Sequence, residues 1–120
     1  MRIFVRALIV GAALGVAATA QAAAKDDFNG YDQIMRGDYA AAERVLVTQR
    51  KLFPNDADIA LNLAAVYMHQ GRTSEARALY NAVLARPDDL MDMNANSSVW
   101  SHQAAKAGLD KINSTQILTR

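Results

Sequence analysis

His69 and His102 are the only histidines in the chain, cysteine is absent, and Ser101 immediately precedes His102. Hydrolysis by such groups needs a nucleophile, a base and an orienting acid that converge in space. Two neighbours at the start of a helix do not supply that convergence, and His102 is better placed to cap or pack the helix it opens. A zinc site would need several convergent ligands, which here fall to two histidines and carboxylates. His69 stands near a helix end, where the dipole favours an imidazolium. Asp88, Asp89, Asp92, Asn94 and Asn96 offer oxygen ligands, the last three alternating as calcium ligands do. The stretch lacks the glycine and distal glutamate of an EF-hand loop, so it reads as a solvated turn. The residues therefore predict no catalytic group, no metal and no cofactor.

These groups must be positioned by a small chain. At 120 residues there is room for one domain. The apolar fraction is 52%, and much of it is alanine, whose high helix propensity and small bulk suit closely approaching helices. A GC-rich genome would produce the same alanine bias.

The amino terminus has the form of a secretory leader. Arg2 and Arg6 precede an uncharged apolar run, Ala7 to Ala18, and Ala20-Gln21-Ala22 or Ala22-Ala23-Ala24 fits an Ala-x-Ala cleavage site. The run is short for a membrane span, which needs about 20 residues; an uncleaved anchor reaching Ala24 is the alternative. Residues 1–24 are thus expected to be a signal peptide, and the remainder an exported, periplasmic protein. From Lys25 onward 11 basic side chains face 12 acidic ones, a net charge of −1. No concentrated basic stripe points to nucleic acid. Without cysteine, no disulfide can compensate for a small core in an oxidising compartment.

The elements follow from spacing. Phe28, Tyr31, Ile34 and Met35 predict a short helix from Asp26 or Asp27 to Arg36, with Gly30 inside it. Gly37-Asp38 ends it and caps the next, Tyr39 to Phe53, which stops before Pro54. Asn55 or Asp56 caps a helix from Ala57 to Gln70, and after Gly71 another runs from Thr73 or Ser74 to Ala85. Arg86-Pro87-Asp88-Asp89 breaks the pattern. Two short extended pieces around the Asn-rich turn form a small hairpin or an ordered loop. A last helix is predicted from Ser101 or His102 to about Ile112, with a loose tail beyond it.

One periodicity joins these elements. Gly37 and Gly71, Ala42 and Ala76, and Leu46 and Tyr80 are each separated by 34 residues, the period of the tetratricopeptide repeat. Leu63, Ala64, Tyr67, Gly71, Ala76, Tyr80 and Val83 occupy the places of that pattern's Leu-Gly, its aromatic, its Ala and its large residue. Ala60 stands where the pattern has Trp, and Pro87 comes one residue early. The upstream copy keeps Gly37, Ala42, Leu46 and Pro54 but has Gln49 opposite Val83 and Gly30 at the small position. The chain resembles a two-repeat member of the tetratricopeptide family over Phe28 to Pro87. As a whole it is similar to small exported tetratricopeptide proteins of Gram-negative bacteria, a group of unassigned function.

The resemblance implies an all-α fold, an α–α superhelix of helical hairpins over residues 25–87. An extended segment and a capping helix follow over residues 88–120. A hairpin cannot bury its apolar side alone. The last helix, with Trp100, Leu109 and Ile112, is expected to seal one end; otherwise that end is a dimer surface. In the family the first helix of each repeat lines a concave side that binds extended peptides or partner segments. Carried onto this sequence, that side presents Tyr31, Ile34 and Met35, then Asp58, Leu61, Asn62, Ala65, Met68 and His69. The family's carboxylate clamp is absent, because Asp58, Leu61 and Ala65 stand where it has Lys and Asn. What remains is an apolar strip with methionine, suited to adaptable contact, or a groove already filled by the terminal segment. The expectation is a non-enzymatic scaffold binding another protein or peptide. The alternative is a self-associating structural protein without a separate ligand; an envelope hydrolase is the remaining reading.

Overall fold

A computed structural model describes residues 30–94 and 97–118. The expected leader at residues 1–24, the start of the first predicted helix at Asp26 or Asp27, and Asn96 lie outside the described residues. Among the described residues four helices come first: α1 (Tyr31–Met35), α2 (Tyr39–Leu52), α3 (Ala57–His69) and α4 (Thr73–Leu84). A hairpin of β1 (Leu90–Asn94) and β2 (Ser97–Trp100) leads directly into α5 (Ser101–Leu118).

The 34-residue echo is a backbone echo. Gly37 and Gly71 have φ of 73° and 74°, the left-handed conformation that glycine adopts without a Cβ penalty. Each closes the same two-bond motif. Gly37 N–H donates to Ile34 O at 3.0 Å and Asp38 N–H to Gln33 O at 2.9 Å. Thirty-four residues on, Gly71 N–H donates to Met68 O at 3.1 Å and Arg72 N–H to Tyr67 O at 2.8 Å. Both are Schellman closures, which satisfy carbonyls a helix end leaves unpaired. Open space surrounds both glycines, so the dihedral angle, not crowding, demands the residue.

Helix starts are capped by side chains where the sequence provides them. Asp38 accepts from Ala41 N–H at 3.2 Å. Asp56, rather than Asn55, accepts from Asp58 and Ile59 N–H at 3.0 and 3.3 Å. The first helix is shorter than its apolar spacing predicts. Gly30 has φ of 69° and is the residue before α1, not part of its interior. It is buried, and a Cβ there would stand 3.1 Å from Leu46 Cγ. Glycine at the pattern's small position thus lets the chain approach α2 closely while turning into α1.

The core runs through α2, α3, α4 and α5. Ala42 and Leu46 on α2, Ile59, Leu63, Ala64 and Val66 on α3, Ala76, Leu79, Tyr80 and Val83 on α4, and Ala105 and Ile112 on α5 are all buried. Fully enclosed alanines from four helices, Ala42, Ala64, Ala76 and Ala105, let the backbones approach, and a few large side chains fill the space between. Each buried Leu or Ile contributes roughly 1.5–3 kcal/mol relative to exposure.

Three expectations are corrected. The fold is mostly helical but not all-α, because β1 and β2 pair antiparallel, Leu90 opposite Trp100, Met91 opposite Val99 and Asp92 opposite Ser98. Met91 and Val99 are half-buried while the pairs on either side are exposed, as alternation requires. The last helix continues to Leu118. The Ser114 and Thr115 hydroxyls donate back to Asp110 O and Lys111 O at 2.8 and 2.9 Å, so these residues need not break it. Trp100 does not seal the repeat end: it is 49% exposed. Ala105, Gly108 and Ile112 close that end instead.

Candidate interaction surface

The residues expected on the concave side do not share one environment. Tyr31 and Met35 are exposed on α1, at 56% and 66%, and Ile34 between them packs against the core. On α3, Asp58, Asn62, Ala65 and Met68 are half-buried and His69 is exposed. Leu61 differs from its neighbours. At 9% exposure it belongs to the core, so an aspartate there would disrupt packing rather than only the surface. Both groups are anchored on α2, against which α1 and α3 each pack. His69 is held by a parallel stack on Tyr39, with ring centroids 4.5 Å apart and planes 7° apart. That contact ties the last residue of α3 to the first of α2.

Ser101 and His102 have settled structural duties. The Ser101 side chain is fully buried; its hydroxyl donates to Asp88 Oδ1 at 3.1 Å and accepts from Asp89 N–H at 2.9 Å. Asp88 Oδ1 also accepts from His102 N–H at 2.9 Å. The His102 ring is engaged elsewhere, with Nε2 2.6 Å from Arg86 O. The cluster is therefore a cap for α5 built across the hairpin. It holds the Asp88 carboxyl below its ordinary pKa, chiefly through the His102 N–H and then the Ser101 hydroxyl. The sequence places Asp88 in a solvated turn; no local signal reveals it as a cap, because it lies 13 residues before Ser101.

Arg72 also escaped sequence reasoning. Its guanidinium bonds Glu43 Oε1 at 2.7 Å and forks onto Glu75 at 2.9 and 2.6 Å. It lies 4.2 Å from the Tyr67 ring centroid, and Gln70 links to both Arg72 and Glu43. One residue at the α3–α4 turn thus binds α2 to α4. Burial, and then the Glu43 charge, push the Tyr67 phenol up from its ordinary pKa.

Among the described residues, no group of His, Asp or Glu is arranged to hold a metal ion, and no helix is long and apolar enough to cross a membrane. Helical hairpins closed by matching turns define an interaction domain of the repeat class. Residues 33–93 match the tetratricopeptide repeat family, a little over half of the 120 residues. The chain belongs to that family. No curated protein and no solved structure matches it significantly. Family membership, with Ser101, His102 and Asp88 committed to a helix cap, makes this a non-enzymatic protein of interaction type.

Proposed function

We propose that the chain is a two-repeat protein-binding module whose partner lies along α1 and α3. Tyr31, Ile34 and Met35 supply one half of the contact, and Asp58, Asn62, Ala65, Met68 and His69 the other. Leu61 is the floor beneath them. The observation that carries this reading is the exposure of Tyr31 and Met35 beside a half-buried Ile34 and Met68. Methionine adapts its shape to a partner at low cost. On this reading residues 25–87 are the repeat region and residues 88–120 its carboxy-terminal cap. Residues 1–24 are a leader that places the protein in the periplasm of a Gram-negative cell, and fractionation of cells expressing the full chain tests that placement.

The binding test uses Met35→Asp and Tyr31→Ala, both at exposed positions. A photo-crosslinker at residue 31 should give a discrete partner adduct that Met35→Asp removes without altering helicity, and one at residue 35 an adduct that Tyr31→Ala weakens. An adduct of equal yield in Met35→Asp would refute the strip. A second reading, self-association without a separate ligand, is favoured by the exposed Leu90–Trp100 pair. A concentration-dependent dimer in sedimentation, with no adduct other than the chain with itself, would select it.

A further inference from the structure

A cleft of about 280 Å³ opens between β1 and the first turn of α3. Residues from both faces of β1 line it, Leu90 and Asp92 from the outer face and Met91 from the inner. It therefore lies along the edge of the strand. The register decides which backbone groups face that edge. Ser101 N–H donates to Asp89 O at 2.8 Å, continuing the ladder beyond the Leu90–Trp100 pair. Bonded and non-bonded pairs alternate along an antiparallel ladder. Asp89 and Met91 accordingly turn their amides and carbonyls toward β2, while Leu90 and Asp92 turn theirs outward. An edge of this kind is a template for an added strand. A two-stranded sheet gains most from one, because it is marginal alone.

The walls define what would fit. Asp56 and Asp58 line one side, Asp89 and Asp92 the other, and the cleft has no basic side chain in its lining. The four carboxylates do not gather into a metal site; they are distributed along the walls, as suits several cations spaced along a chain. Asp56 spends one oxygen on α3's first amides and Asp92 one on Ser98, and Asp89 gives only its backbone to Ser101. We propose that the edge of β1 accepts, as a third strand, an extended basic segment of another protein whose lysines or arginines meet these carboxylates. Leu90, 57% exposed, supplies apolar contact beside them. The site stands apart from the strip on α1 and α3, with which it shares only Asp58.

The test is fluorescence anisotropy of the full chain with a labelled alternating Lys-Val octapeptide. Two further peptides carry N-methyl groups on every second amide, either on the lysines or on the valines, with charge and composition otherwise unchanged. Saturable binding is expected, weakened about tenfold or more by at least one methylation pattern, as loss of two or more backbone hydrogen bonds requires. Asp89→Asn with Asp92→Asn should weaken it further and flatten its salt dependence. Binding untouched by both methylation patterns would reduce the site to charge attraction and overturn the added strand. So would equal binding of a Glu-Val octapeptide, or no binding at all. A dimer lost in Leu90→Pro, without peptide binding, would assign the edge to a second copy and equally defeat the proposal.

Discussion

The ring of Tyr80 on α4 occupies the space that a side chain on Gly108 of α5 would fill. A Cβ at residue 108 would stand 2.6 Å from both Cε atoms of that ring. The carboxy-terminal helix therefore lies on the second helix pair at glycine-to-aromatic distance, and this contact, rather than Trp100, closes the repeat end.

Gly108→Ala sets two effects against each other. Alanine improves helix propensity by about 1 kcal/mol, whereas overpacking a filled contact costs about 1–3 kcal/mol. The steric term wins because the obstacle is a buried aromatic ring. Urea denaturation should show net destabilisation, and Tyr80→Leu in the same chain should recover part of it. Additive losses in that double-mutant cycle would place the ring elsewhere.

Closure by α5 also separates Ile112 from Trp100. Ile112 is fully buried, so Ile112→Ala should cost about 2–5 kcal/mol. Trp100→Ala should change stability far less. Trp100 is the sole tryptophan, and its emission in the native protein should be open to iodide quenching. Strong protection from quencher would restore it to the core.

The Arg72 bridge is charge-assisted and planar, and an ammonium cannot reproduce its fork onto Glu75 together with its bond to Glu43. Arg72→Lys should lower Tm at low ionic strength. In molar salt the gap from the unsubstituted protein should narrow, since the groups are partly exposed. A gap independent of salt would mean that the arginine acts through packing on Tyr67.

Two ionisations shape the pH profile in opposite directions. The Asp88 carboxyl lies below its ordinary 3.8 in the folded chain. Its contribution is present above that value and is lost as pH falls through the folded pKa. Burial raises the Tyr80 phenol above 10.0, so its contribution holds below 10.0 and is lost as pH rises further. Asp88→Asn should flatten the acid limb of a Tm-versus-pH curve and Tyr80→Phe the alkaline limb. Unchanged limbs in these variants would remove both groups from the profile.

The helix pairs were legible because their signals are local. Gly37 and Gly71 end helices by a backbone angle that few other residues accept, Asp38 and Asp56 cap within three residues, and apolar spacing marks each buried face. Gly30 misled for a related reason: spacing alone does not distinguish a glycine inside a helix from one whose positive φ starts it. Ser114 and Thr115 misled because their hydroxyls can bond within a helix as readily as outside one. At the proposed strip, spacing placed Leu61 among accessible residues, but accessibility depends on what the other helices cover.

What the chain settled by itself was therefore the set of choices made within a few residues: turn, cap, helix face and the 34-residue recurrence. Tertiary structure alone decided the rest. It set Tyr80 against Gly108, drew Asp88 and Ser101 together across the hairpin, and turned Trp100 and Leu90 outward. It also bound Arg72 to a carboxylate 29 residues upstream. Such pairings depend on which surfaces exclude water from one another once the helices pack, a competition among distant segments that no local spacing records.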